Sequence, residues 1–187
     1  MKKYGLILAD PPWRNRGNGR ARKYYSFMSP AAICDLPVAS ICAENCILLL
    51  WSTWAELENA MAVIEAWGFA YMSGFPWIKL YEPPFTDASG SLVARVVYGT
   101  GFWVRGCSEP MLIGWRGEEK PPSSHFLGLL SERLEHSRKP DDIYEYAQSF
   151  SGPYLELFAR RNRPGWDVWG DEVDSVALPG FPSLSQG

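Results

Sequence analysis

Four consecutive residues, Asp10, Pro11, Pro12 and Trp13, stand out for the chemistry that their types and order allow. The two prolines fix their own φ angles and remove two backbone N–H donors, so the local carbonyls cannot continue a sheet and can face a ligand. The Asp10 carboxylate adds further acceptors, and Trp13 supplies a large aromatic surface. The tetrapeptide therefore predicts a rigid group of hydrogen-bond acceptors beside an aromatic ring.

Such a corner suits an amino group attached to an aromatic ring, whose lone pair is delocalised until its N–H groups are drawn out of the ring plane. We expect Asp10 and the Pro11 carbonyl each to accept one N–H while Trp13 stacks on the ring. The amine can then attack an electrophilic methyl group in line. A turn that ends a strand, with a buried tryptophan, would explain the same four residues, and the tetrapeptide alone leaves this alternative open.

The element that must position the tetrapeptide is the apolar run at 5–9, which predicts a buried strand that ends at Asp10. At 53–56 the sequence has the capping-box pattern that opens a helix. The alternation of strands and helices predicts an α/β fold with a mostly parallel sheet. Further strands are predicted at 46–51, 69–79, 110–115 and 154–159, and further helices at 29–36 and from Pro140.

The remaining stretches have weak periodicity. Residues 81–106 are punctuated by proline and glycine and predict a long functional loop. Residues 175–187 predict a flexible tail, so the expected organisation is one domain over 1–174 followed by that tail. In an open α/β sheet, ligands bind beyond the carboxyl ends of the strands, so Asp10 and Arg160 are expected to face one crevice.

Charge and composition exclude several classes of protein. The formal net charge of −3 argues against a large non-specific grip on nucleic acid. A basic loop does follow the tetrapeptide, and it is either a surface that closes over a polyanion or a solvated loop; its arginines are Arg14, Arg16, Arg20 and Arg22. The four cysteines and two histidines lack zinc spacing, so no metal is expected. No apolar run can span a bilayer and no signal peptide is evident, so we expect a cytoplasmic protein.

In the order of its motifs, the chain resembles the family of the catalytic subunit of the messenger-RNA N6-adenosine methyltransferase, and its single-chain bacterial and phage relatives in particular. The resemblance runs from about Gly5 to Glu172 and begins with Asp-Pro-Pro-Trp, the signature of amino-group methyltransferases. The other motifs lie at 25–29, 47–51, 77–79, 99–103, 108–110, 137–141 and 156–160.

The resemblance implies a Rossmann-like class I methyltransferase with a circularly permuted motif order, using S-adenosylmethionine and no metal. It implies that the tetrapeptide is catalytic and that Lys139 neutralises the carboxylate of the donor. The residues that it assigns to the donor are Asp10, Lys139, Arg160, Asn162, Asp171 and Glu172. The segment after Arg160, which contains Asn162, is shorter than in the family and lacks the family's histidine. Asp171 and Glu172 replace an amide pair that contacts the ribose in the family.

On the target side, Tyr25 and Glu109 match family positions near the acceptor adenine. A duplex adenine would have to be flipped out of its stack to reach the tetrapeptide. The resemblance to bacterial and phage members favours DNA over RNA. A catalytically silent nucleic-acid-binding partner and a methyltransferase for another planar amine remain alternatives, and a homodimer or a partner subunit is left open.

Overall fold

The computed structural model describes residues 2–13, 27–99, 103–118, 128–133 and 138–182. The helices in these ranges are α1 (Pro30–Cys34), α2 (Leu57–Ala66) and α3 (Asp142–Gln148), with 3₁₀ turns at Val38–Ser40 and Trp54–Glu56. The strands are β1 (Tyr4–Ala9), β2 (Cys42–Trp51), β3 (Ala70–Leu80), β4 (Phe85–Thr86), β5 (Leu92–Val93), β6 (Ser108–Arg116), β7 (Leu129–Glu132), β8 (Tyr154–Leu157) and β9 (Trp166–Trp169).

Seven of these strands form one sheet in the order β7, β3, β6, β2, β1, β8, β9, and the short β4 and β5 pair separately. Every neighbouring pair in the large sheet is parallel except the two that involve β6. The predicted α/β class with a mostly parallel sheet is confirmed. The circularly permuted motif order stays a prediction.

Strand β1 lies near the centre of the sheet and is buried on both faces, as expected for a continuous apolar run. Its alternate side chains serve two cores. Ile7 and Ala9 pack in the cluster that contains residues of α1 and α2, whereas Leu6 and Leu8 pack in the cluster that contains residues of α3. The sheet is therefore covered by helices on both faces, in three layers.

The carboxyl ends of β1, β2 and β8 meet at one edge of the sheet. Ala9 is in register with Leu50 of β2 and with Leu157 of β8, so the chain leaves all three strands at the same level. Antiparallel β6 starts at this edge, because its Met111 pairs with Trp51. Asp10, the residues after Trp51 and the start of β6 are thus brought together by backbone pairing alone.

Two expectations differ from the structure. The capping box is confirmed only in part: helical structure does begin after Thr53, as a 3₁₀ turn that leads into α2, but the Thr53 side chain makes no capping hydrogen bond. Glu56 accepts from the Asn59 side chain at 2.6 Å. Within the predicted tail, Val176, Leu178 and Phe181 pack against the core, so residues 175–182 have a place on the domain surface. The boundary after Asp174 itself stays a prediction.

Candidate functional site

A line of alternating charges lies at the shared edge of the sheet. Lys139 Nζ donates to both oxygens of Asp10, at 2.9 and 2.8 Å. It also lies 3.4 Å from Glu109 Oε2, and Lys79 holds the other oxygen of Glu109. Residues from β1, β3, β6 and the approach to α3 therefore converge on one ion-paired cluster, although 129 positions separate Asp10 from Lys139.

Burial and charge shift the pKa values in this cluster. Burial raises the pKa of Asp10, and the Lys139 ammonium opposes that rise. Burial alone would lower the pKa of Lys139, but the carboxylates of Asp10 and Glu109 raise it. Burial alone would raise the pKa of Glu109, but Lys139 and Lys79 lower it. The lysine therefore stays charged at neutral pH and holds two acidic groups.

The tetrapeptide differs in part from its predicted arrangement. The Pro11 carbonyl accepts the Trp13 backbone N–H at 2.8 Å, which occupies one of its two lone pairs. Pro11 is buried and is not among the described residues that line the cavity described below. Trp13 is 6% exposed, belongs to the core and donates its indole N–H to the Trp51 carbonyl at 3.0 Å. The expectation that Trp13 stacks on a ligand ring does not fit this burial, because the bond to Trp51 fixes the indole within the packed core.

Asp10, Lys139 and Arg160 line one cavity of about 250 Å³. This is slightly below the usual range for small-molecule sites, which starts at about 300 Å³. Glu172 also lines the cavity, whereas Asn162 and Asp171 are exposed and are not among the described residues that line it. The wall consists of Leu8, Asp10, Trp51, Arg138, Lys139, Ile143, Tyr144, Glu156, Phe158, Arg160, Arg161 and Glu172.

Arg160 and Glu172, both assigned to the donor from the resemblance, are paired with each other. Arg160 Nε donates to Glu172 Oε1 at 2.8 Å. Phe158, the first residue after β8 and part of the same wall, adopts a φ of 63°. Such a positive φ is uncommon for a bulky residue, and it turns the chain sharply where β8 ends. A ribose bound here would share or replace the ion pair between Arg160 and Glu172.

The cavity contains a carboxylate that neither the motifs nor the resemblance points to. Glu156 of β8 accepts from the Tyr144 hydroxyl at 3.0 Å with both oxygens. Burial raises the pKa of Glu156 to about 7, with a smaller contribution from Asp10. The sequence signal that could have identified Glu156 is its position between two leucines of a buried strand. Side chains alternate along a strand, so Glu156 faces away from the core that Leu155 and Leu157 share.

A second missed group lies at the start of α3. Asp141 accepts from Arg138, Arg161 and Arg163, at 3.2, 3.1 and 2.5 Å. Arg163 also stacks on the Tyr144 ring, with its guanidinium carbon 3.6 Å from the ring centroid. This cluster joins α3 to the segment after β8, and it adds Arg138 and Arg161 to the cavity wall.

The cavity wall fits S-adenosylmethionine by its chemistry. Four buried donors in the described residues have no hydrogen-bond partner, and two of them, the Trp51 indole N–H and the Arg138 Nε, belong to residues that line the cavity. Unpaired buried donors are costly unless a ligand satisfies them. Lysine and arginine can neutralise a carboxylate, while Asp10, Glu156 and Glu172 can face an ammonium, a sulfonium or ribose hydroxyls.

Several predicted residues lie outside the described ranges, namely Tyr25, Arg14, Arg16, Arg20 and Arg22. Within those ranges, no group of three potential metal ligands occurs. The helices in the described part of the chain are too short or too polar to cross a membrane.

Comparison with known proteins identifies relatives of the chain. The family described as MT-A70 matches residues 4–172. The human N(6)-adenine-specific methyltransferase METTL4 is 29% identical over 92% of the chain and 38% of its own length. The type II methyltransferase M.MunI of Mycoplasma sp is 30% identical over 95% of the chain and 82% of its own length. The N6-methyladenosine RNA methyltransferase MTA1 of Cryphonectria parasitica is 27% identical over 95% of the chain and 54% of its own length. The chain thus spans under two thirds of METTL4 and MTA1 but most of M.MunI.

Proposed function

The chain belongs to the MT-A70 family, and on that premise we propose that it transfers a methyl group from S-adenosylmethionine to the N6 amine of adenine in DNA. One observation carries the proposal: Asp10, at the end of β1, lines the same cavity as Lys139 and Arg160. The residue expected to hold the target amine and the residues expected to hold the donor are therefore adjacent.

The donor, when bound, supplies an electrophilic methyl group on a sulfonium. Lys139, Arg160 and Glu172 are the described residues proposed to hold it, with Lys139 on its carboxylate and the other two on its ribose. Asn162 and Asp171 remain proposed donor residues that would have to approach from outside the described wall.

Asp10 is proposed to hold the adenine amine. Its two oxygens have about four lone-pair sites, and the bonds from Lys139 leave room for an amine N–H. The Pro11 carbonyl keeps its proposed contact with the second N–H, through the lone pair that the Trp13 N–H does not use. The nitrogen gains the methyl group and loses one proton, and the Asp10 carboxylate, whose pKa burial raises, is a suitable acceptor for that proton.

Glu109 is proposed to act on the target side through its place in the ion-paired cluster. It holds Lys139 in contact with Asp10 and can itself accept a hydrogen bond from the base. Tyr25 and the arginines of the basic loop keep their proposed contacts with the substrate.

DNA is preferred because the chain resembles single-chain bacterial and phage members, and its alignment with M.MunI extends over 82% of that protein. RNA is the second candidate, supported by the similarity to the RNA methyltransferase MTA1. A cytoplasmic location, and association as a homodimer or with a partner subunit, are part of the same proposal.

The test is methyl transfer by the purified protein to DNA, RNA and protein pools, with labelled S-adenosylmethionine and mass spectrometry of the digested products. We expect N6-methyladenine in DNA. If methylated adenosine appears only in the RNA pool, the substrate is RNA and not DNA. Donor binding by calorimetry without transfer to any pool would favour the silent partner, and methylated protein would favour another planar amine.

A further inference from the structure

Trp13 was expected to stack on the substrate base, but it is buried and cannot take this role. Another residue must supply a stacking surface at the edge of the sheet where Asp10 lies. Trp13 is fixed in the core by its hydrogen bond to the Trp51 carbonyl. A base that presents its amine to Asp10 still needs an apolar surface for its ring face, because hydrogen bonds to an amine do not hold a ring in place by themselves.

Trp54 is an exposed indole at the same edge of the sheet. It lies three positions after the end of β2 and is 55% exposed. Strands β1 and β2 are parallel and Ala9 pairs with Leu50, so Asp10 lies one residue and Trp54 four residues beyond the same level. Backbone register therefore puts Trp54 just beyond the carboxyl end of the strand next to Asp10.

The Trp54 ring is also held in a fixed orientation. Its indole N–H donates to Ser108 Oγ at 3.1 Å. Ser108 is the first residue of β6 and precedes Glu109, which contacts Lys139. The polar atom of the indole is thus used within the protein, while more than half of the side chain remains open to solvent.

We propose that Trp54 forms a stacking subsite for a nucleobase of the substrate strand, beside the corner formed by Asp10 and Pro11. A single exposed aromatic residue is ordinary on a protein surface. Trp54 differs because it combines exposure, an anchored ring and a position at the edge that carries the charged cluster. The inference rests on the proposed function and adds a residue to its target side.

The test measures binding of fluorescein-labelled single-stranded oligodeoxynucleotides by anisotropy. Trp54→Ala should weaken binding about 10-fold, and Trp54→Phe should retain most of the affinity, because loss of one base-stacking contact has an effect of this size. Tyr71→Ala is the matched control, since Tyr71 is 45% exposed but pairs with Gly114 at the far end of β6. The control should bind like the wild type.

An abasic oligodeoxynucleotide of the same length separates stacking from a general structural effect. Removal of the bases should cost the wild type about 10-fold more affinity than it costs Trp54→Ala, because the variant has already lost the stacking contact while both proteins lose their other base contacts. Unchanged calorimetric donor binding confirms that Trp54→Ala is folded. If the wild type methylates nucleic acid while Trp54→Ala binds and turns over equally well, this inference alone is overturned. If the wild type neither binds nor methylates nucleic acid, the proposed function is overturned together with it.

Discussion

Lys139 connects the two halves of the site because its ammonium contacts both Asp10 and Glu109. Removal of one partner from a buried charge pair leaves the other charge uncompensated, which is costly. The cluster therefore holds the Asp10 carboxyl in a fixed orientation before any ligand binds. A donor carboxylate that approaches Lys139 would share this ammonium with Asp10, which provides a direct link between donor binding and the residue that holds the amine.

Glu156 gives the protein a dependence of stability on pH. Its pKa rises from 4.5 to about 7, chiefly through burial. Asp10 adds to the rise, whereas the Tyr144 hydroxyl, Arg163 and Arg161 oppose it. Because the folded pKa lies above the unfolded one, the contribution to stability is complete below pH 4.5 and is lost as the pH rises through about 7.

Between pH 4.5 and about pH 7 the wild type should lose unfolding free energy as Glu156 ionises. Glu156→Gln has no carboxyl group to ionise at this position, so over the same range it should lose about 2 kcal/mol less than the wild type, after allowance for solvent screening. Urea denaturation of both proteins at the two ends of this range measures the difference. Glu145→Gln, at an exposed position of α3, is the control and should follow the wild type. Identical pH dependence in wild type and Glu156→Gln would show that Glu156 titrates normally.

At the scale of elements, the three arginines around Asp141 fasten α3 to the segment that follows β8. The Asp141 side chain is 49% exposed, so solvent weakens each pair and only the network has a measurable effect. Asp141→Ala should lower the unfolding free energy by about 1 kcal/mol, which corresponds to a Tm decrease of about 2–4 °C in a chain of this size.

Asp142→Ala is the matched control, because Asp142 lies in the first turn of α3 but is not part of the arginine cluster. Differential scanning calorimetry of both variants gives the comparison. An equal decrease in both would assign the effect to the helix N-terminus, and no decrease in Asp141→Ala would contradict the proposed fastening.

The elements differ in how well the sequence predicts them. Strand β1 was predictable because a short, continuous apolar run that stops just before two prolines has few other interpretations. The antiparallel direction of β6 relative to β2 and β3 was not predictable, since an apolar run does not encode strand direction. Strands β7 and β9 have four residues each and give too short a pattern to recognise. The capping-box pattern located the start of the helical segment, but local spacing does not reveal that its first turn is a 3₁₀ turn.

The sequence could predict which residues belong to the site, but not the contacts that these residues make with distant parts of the chain. The resemblance named Asp10, Lys139, Arg160 and Glu172, and the structure brings all four to one cavity, although their roles stay predictions. The burial of Trp13 depends on a carbonyl at the end of β2, 38 positions away, which no local pattern contains. Glu156 and the arginines around Asp141 depend in the same way on distant partners.

At the scale of the whole molecule, the net charge of −3 leaves the basic loop as the expected electrostatic contact with nucleic acid. Replacement of Arg16, Arg20 and Arg22 by glutamine should weaken binding and reduce the steepness of its salt dependence. Each lost phosphate contact should lower the slope of log K against log salt by about 0.9 on duplex DNA. Anisotropy titrations over a range of salt concentrations measure that slope.

Lys2→Gln combined with Lys3→Gln is the control, because these residues precede β1 at the edge opposite Asp10. This pair should leave the slope unchanged. If the arginine variant also kept the wild-type slope, the basic loop would be an ordinary solvated surface.

The central claim is that Asp10 holds the amine that receives the methyl group, and Asp10→Ala tests it most directly. Single-turnover methyl transfer and calorimetric donor binding should be measured on the same preparations of wild type and variant. We expect the rate of transfer to fall by at least about 100-fold, as for loss of a positioned proton acceptor, while the donor Kd changes by only a few fold. Full turnover in Asp10→Ala would contradict the account.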